Sequence, residues 1–193
     1  MDWLVVGLGN PGKEYALTPH NVGFMVCDSL SFLFDFDFTL KNKFKGFFGE
    51  FSLGSYKVGV LKPITYMNLS GISVGEVFSF YKIPLNRLIV IHDDVDLPLG
   101  RIKIKKNSSS GGHKGVESII QTLSSKDFAR VKIGVGREGN VRDYVLRNFK
   151  ENELEIVNQA VRLSADAVVC IIKEGLNKAM NEYNSLNREV IKQ

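Results

Sequence analysis

The apolar positions change period several times along this chain, and each change marks a predicted element. Trp3-Leu4-Val5-Val6 is a continuous apolar run that stops at Gly7, the pattern of a strand buried on both faces. A turn cluster, Gly9-Asn10-Pro11-Gly12, follows. The spacing then becomes helical. Thr18 is placed as N-cap and Pro19 as the first helical residue, and Val22, Met25, Val26 and Leu30 share one face. Residues 34–38 alternate phenylalanine with aspartate and fit either period. Residues 47–53 and 57–61 flank Gly54-Ser55 as a hairpin. After a loop, residues 63–81 read as a helix weakened by Gly71 and Gly75. Residues 88–91 form a second buried strand that ends at His92-Asp93. Residues 101–105 alternate strictly, Gly111-Gly112 opens a helix through Ile120, and residues 131–135 are another strand. A long amphipathic helix spans 151–172, breaks near Gly175 and resumes through Tyr183.

Strands and helices interleave with no linker, repeat or shift of composition between them. The expectation is one α/β domain over residues 1–193, with a central twisted sheet, mixed but mostly parallel, flanked by helices. At 193 residues the chain can bury about 70% of its unfolded surface. With 44% hydrophobic and 24% charged residues, it is neither disordered nor collagen-like nor a disulfide scaffold. Cys27 and Cys170 each lie in an apolar stretch and read as buried thiols, not as a disulfide or a metal pair. No apolar run approaches the ~20 residues of a membrane span. Met1-Asp2 enters the first strand without a basic leader. The cytoplasm is therefore the expected compartment. The net charge of +4 suits a polyanionic partner without requiring one.

Candidate chemistry gathers at the turns. Gly7, Gly9 and Gly12 fit G-x-G-x-x-G after a strand, which suggests dinucleotide binding. Pro11 removes an N–H from that loop, the helix begins too late to face it, and the acid expected about 20 residues on falls inside the helix. A tight turn is the better reading. His20, His92 and His113 all lie beside Gly- or Asp-rich turns. His20, as the second residue of a helix, would be kept neutral by the dipole, as a general base must be. Asp93, at the end of a buried strand, is the candidate carboxylate to orient it. Asp93, Asp94 and Asp96 could suit a hard cation, but alternation separates the first from the others, so an acidic loop is preferred to a metal site. Asn10 and Asn68 could hold a substrate amide or a developing oxyanion, although turn and cap bonding is their commoner use. Arg101, Lys103 and Lys105 alternate with Ile102 and Ile104, which puts three cations on one strand face. Lys106, Lys132 and Arg137 add to this charge, either as a solvated face or as phosphate contacts.

Several segments together carry a resemblance. Gly7-Leu8-Gly9-Asn10-Pro11-Gly12, with Tyr15, Thr18 and His20-Asn21-Val22-Gly23-Phe24, resembles the first signature of bacterial peptidyl-tRNA hydrolases. Residues 63–71, His92-Asp93-Asp94-Val95-Asp96-Leu97-Pro98, Gly111-Gly112-His113-Lys114-Gly115 and residues 132–137 resemble that family's later segments in order and spacing. The resemblance implies a monomeric, single-domain, cofactor-free hydrolase that frees tRNA from peptides dropped by stalled ribosomes. Its partner would be peptidyl-tRNA, met at the acceptor end and the 5′-phosphate, with no membrane or DNA. By matching position, His20 would be the general base and Asp93 its orienter. Asn10 and Asn68 would position substrate and stabilise the oxyanion, and Tyr15 and Met67 would line the cleft. Lys105 and Lys132 would match the pair gripping the 5′-phosphate, with Lys103 beside them. Two departures stand out. Pro19 replaces a common arginine, and Lys114 replaces the asparagine of the Gly-Gly-His-Asn-Gly loop. If Lys114 points inward it contacts substrate and lowers a nearby histidine pKa; if outward, it adds a phosphate contact. Two other readings are a non-catalytic RNA-binding relative and a nicotinamide oxidoreductase.

Overall fold

The structure, a computed structural model, describes residues 1–190, with side chains through 186. Strands β1 (Trp3–Gly7), β2 (Thr39–Lys41), β3 (Gly46–Leu53), β4 (Tyr56–Pro63), β5 (Leu88–Asp94), β6 (Ile102–Lys106) and β7 (Ala129–Gly134) form one sheet in the order β2-β3-β4-β1-β5-β7-β6. The central β4, β1, β5 and β7 run parallel, and the antiparallel pairings lie toward both edges. The helices are α1 (Val22–Phe34), α2 (Ser70–Tyr81), α3 (Lys114–Leu123), α4 (Val141–Tyr144), α5 (Glu151–Glu174) and α6 (Leu176–Val190).

Alternation along the central strands feeds two apolar layers. Trp3 and Val5 of β1, with Ile89 and Ile91 of β5, pack with α1 and α5; Leu4 and Val6, with Leu88 and Val90, pack under α2 and α3. Each fully buried aliphatic side chain in these rows contributes roughly 1.5–3 kcal/mol. The cleft lined by His92, Asp93 and Asp94 opens at the carboxyl end of β5. Beside β1 the chain reaches β4 on one flank and β5 on the other, the kind of switch point where such sheets open a crevice.

The long helix that follows residue 150 appears as expected and stops at Gly175 (φ 94). Both cysteines are buried and free. Four local expectations need correction. The segment at Pro19 is a 3-10 turn, Pro19–Asn21, and α1 begins only at Val22. Thr18 does not cap it: its hydroxyl donates to the Tyr15 carbonyl at 2.8 Å. The expected helix over 63–81 is the end of β4, a 3-10 turn at Met67–Leu69, and α2 from Ser70, because Pro63 still pairs with Gly46 in the sheet. Gly111 and Gly112 do not open a helix. Both take positive φ (58° and 87°), and α3 starts at Lys114 with His113 as its cap.

Candidate active site

Two glycines set the approach of α1 to the sheet. A Cβ on Gly23 would lie 2.5 Å from the Leu8 amide and 2.6 Å from the Ile91 carbonyl, and one on Gly7 would meet the Gly23 carbonyl at 2.2 Å. The N-terminal glycine pattern therefore serves packing: α1 lies against the ends of β1 and β5, and Gly9 sits under the Phe24 ring. The turn just before α1 carries His20 over the end of β5, where its backbone N–H donates to the Val145 carbonyl at 3.0 Å. Asn21, buried, accepts the Asn10 N–H at 2.8 Å and donates to the Asn10 carbonyl at 2.9 Å, which fixes the loop after β1.

His20 and Asp93 meet. His20 Nδ1 lies 2.8 Å from Asp93 Oδ2, and the carboxylate acceptor assigns the proton to Nδ1, leaving Nε2 as the basic nitrogen. Burial disfavours the imidazolium, yet the Asp93 charge and hydrogen bond outweigh it, and the His20 pKa lies above its ordinary 6.5. This corrects the expectation of a dipole-neutralised histidine: a three-residue turn has no developed macrodipole, and the carboxylate dominates. Asp93 is itself buried, which works against its charge, but His20 and His113 together hold it far below the ordinary carboxylate range.

The second imidazole on Asp93 was missed by reasoning on the residues alone. His113 Nδ1 accepts from the amides of Gly115 (3.2 Å) and Val116 (3.3 Å), so Nε2 bears the proton it donates to Asp93 Oδ1 at 2.8 Å. A histidine one residue ahead of an amphipathic helix, after two glycines, was the available signal. His92 completes the group, its Nδ1 donating to the Asp93 carbonyl at 2.8 Å. Burial and the nearby His113 push its pKa well below the ordinary value, so it is neutral.

An open cleft of about 1210 Å³ lies over this cluster. Asn10, His20, Met67, Asn68, Asp93, His113, Lys114 and Lys132 all line it, together with the exposed Tyr66. Lys114 is thus exposed yet on the cleft wall. Tyr15 ends the turn Lys13–Tyr15, half-buried, and is not among the cleft's lining residues. Lys103 and Lys105 lie just beyond it. Ile102 and Ile104 of β6 point into the core, so the lysines occupy the other face as the alternation predicts, and Lys103 pairs across strands with Lys132. Burial lowers the Lys132 pKa, Asp94 at 3.9 Å opposes this, and the neighbouring Lys105, Arg130 and Lys103 add to it.

His20, Asp93 and His113 each offer a metal-ligand atom within 4.8 Å of the others. Both Asp93 oxygens, however, already accept imidazole N–H bonds. In the acidic loop, Asp96 pairs with Arg137 at 2.7 Å, and Asp94 accepts the Asp96 N–H at 2.8 Å.

Residues 4–192 match the family model described as peptidyl-tRNA hydrolase. The chain belongs to the peptidyl-tRNA hydrolase family. It is 50% identical over 184 residues to the peptidyl-tRNA hydrolase of Carboxydothermus hydrogenoformans, covering 94% of this chain and 98% of that one. It is 50% identical over 188 residues to that of Thermodesulfovibrio yellowstonii, covering 95% and 99%. The crystal structure of the Acinetobacter baumannii family member superposes with a TM-score of 0.91 at 34% identity, over 95% of each chain. A uridine phosphorylase from Vibrio fischeri shares the fold alone, at 9% identity and a TM-score of 0.52. Within the described residues, no helix is long and apolar enough to cross a membrane.

Proposed function

We propose that this chain hydrolyses the ester joining peptide to tRNA, with His20 as general base and Asp93 as its orienting carboxylate. The 2.8 Å His20–Asp93 pair at the foot of an open cleft, in a chain of this family, is the observation that carries the reading. A water in the cleft gives a proton to His20 Nε2 and attacks the ester carbonyl. Asp93 keeps Nε2 the basic nitrogen and stabilises the imidazolium. The side-chain amides of Asn10 and Asn68 stabilise the tetrahedral oxyanion, and its collapse passes the proton to the departing ribose oxygen. The products are a peptide acid and a tRNA with a free hydroxyl. No cofactor is needed for these steps.

Met67 contributes an apolar wall for the acyl group. Lys105 and Lys132, with Lys103, take the 5′-phosphate at the β6–β7 face. Lys114 adds a cation on the wall beside His113, where other family members carry an asparagine, and contacts the acyl or phosphate end of the substrate. Tyr15 supports the turn ahead of His20.

The test is release of N-acetyl amino acid from acetyl-aminoacyl-tRNA, with free aminoacyl-tRNA and the His20→Ala enzyme as controls. Fast cleavage of the acetylated substrate, lost in the variant, is expected. Binding without cleavage by the wild-type chain would replace this reading with a non-catalytic RNA-binding role.

A further inference from the structure

Arg130 is the largest fully buried side chain among the described residues, and it stands on β7 opposite Val90, three positions before the residue paired with Asp93. It forms no ion pair among the described residues. Instead, Nη1 donates to the Ser109 carbonyl at 2.8 Å and Nη2 to the Lys126 carbonyl at 3.3 Å, with the guanidinium 4.5 Å from the centre of the Phe128 ring. A buried cation without a carboxylate is costly, and here burial draws its pKa down to about 10. Its two partners explain what that cost achieves. Ser109 lies ahead of α3 and Lys126 behind it, so one planar fork ties both flanks of the helix to the sheet.

The ties lead to the reaction centre. The carbonyl of Ser110, next along the chain from Ser109, accepts the His113 N–H at 3.0 Å, and its hydroxyl accepts the Gly112 N–H at 3.3 Å. His113 then caps α3 through Nδ1 and donates to Asp93 through Nε2. Asn107, Gly111 and Gly112 all take positive φ, and the loop belongs to no strand or helix that would tie it to the sheet.

We propose that Arg130 is a positioning residue: it holds α3 and the 107–113 loop so that the His113 ring stays on the second oxygen of Asp93. The proposal rests on the esterase reading for its kinetic consequence. Lysine at 130 keeps the charge but can reach only one carbonyl, and methionine reaches neither.

The experiment is a double-mutant cycle with Arg130→Lys, Arg130→Met and His113→Ala, singly and combined, assayed on acetyl-aminoacyl-tRNA. Folding of each variant is checked by thermal melting. Arg130→Met is expected to lower kcat by about 10- to 100-fold with KM little changed, and Arg130→Lys by less. In the His113→Ala background neither change costs more than about twofold, because the ring they position is gone. Additive losses overturn the proposal. Arg130→Lys carries the cycle if Arg130→Met fails to fold. The second readout needs no activity: the His113 Nε2 proton, resolved downfield by NMR, exchanges faster with solvent in Arg130→Lys than in the wild type. Equal exchange overturns the proposal even if the wild-type chain proves inactive. An inactive wild-type enzyme with a loosened His113 proton removes the esterase reading alone.

Discussion

At the scale of single residues, His20 is set by two opposed effects, and their balance makes a pH prediction. Burial favours the neutral ring and Asp93 favours the charged one; Asp93 prevails, so the pKa lies above 6.5. A base acts when unprotonated, so kcat/KM is expected to fall as pH drops through that raised value. Asp93→Asn removes the charge, leaves burial unopposed and moves the acid limb to lower pH. It also lowers the plateau by about 100-fold or more, since an amide can present its NH₂ to Nδ1 and hold the wrong tautomer. A pH–rate profile of both enzymes checks the sign, and an unmoved limb would remove Asp93 from the balance. His20→Ala should cost about 1,000-fold in kcat while tRNA binding stays within about twofold, read by filter binding. Residue type and position at a turn or strand end made His20 and Asp93 legible in the sequence. The distance between them was not, because 73 positions of chain separate them. His113 was obscure for a different reason. A histidine ahead of a helix has the same local pattern whether its ring caps the helix, faces solvent or reaches a carboxylate 20 positions away.

At the scale of elements, the apolar strands and the long C-terminal helix read correctly, whereas the edge strand β2, the 3-10 turns and the start of the helix expected over 63–81 did not. The central strands and the helix α5 declare themselves by period and by breaker residues. β2 has three residues, all exposed, so no burial pattern exists to betray it. The 3-10 turn at Pro19–Asn21 imitates a helix start because proline suits the first position of either, and the turn at Met67–Leu69 runs straight into α2, so periodicity alone does not separate the two. Both turns deliver cleft residues, His20 and Asn68. The docking of α1 depends on Gly23, whose missing Cβ admits the ends of β1 and β5. Gly23→Ala is expected to destabilise by about 2–3 kcal/mol through overpacking, measured by urea denaturation. It should also slow turnover in the folded fraction, since the turn bearing His20 moves with the helix. A stable, fully active variant would show that α1 docks with slack.

At the scale of the molecule, the place of the charges matters more than their sum. A net charge of +4 says little, but Lys103, Lys105 and Lys132 share the face next to the cleft. Lys105→Ala should weaken tRNA binding and flatten the slope of log K against log salt by about one. An unchanged slope would place the phosphate elsewhere. The buried pair also ties global stability to pH. The raised His20 pKa contributes stability that is complete below 6.5 and fades as pH rises through its folded value. The depressed Asp93 pKa contributes stability that is present above 3.8 and fades as pH falls toward its folded value. Wild-type urea midpoints should therefore be highest between those limits and decline on the acid side, with a shallower acid decline in Asp93→Asn.

The register of the last two strands has one more consequence. Lys103 stands opposite Lys132, and Lys105 opposite Arg130, so β6 and β7 set cation against cation at two rungs on one face, with Ile104 opposite Val131 between them. Such rungs loosen a ladder. The outer strand is held against that repulsion by its buried isoleucines and by Asn184, whose side-chain amide bonds both the N–H and the carbonyl of Ile104. In the unliganded chain this margin should be softer than the central strands, with amide protons that exchange earlier than theirs. A polyanion laid across Lys103, Lys105 and Lys132 would stiffen it, so that the proposed grip on RNA would be registered as slowed exchange along an edge that never enters the chemistry.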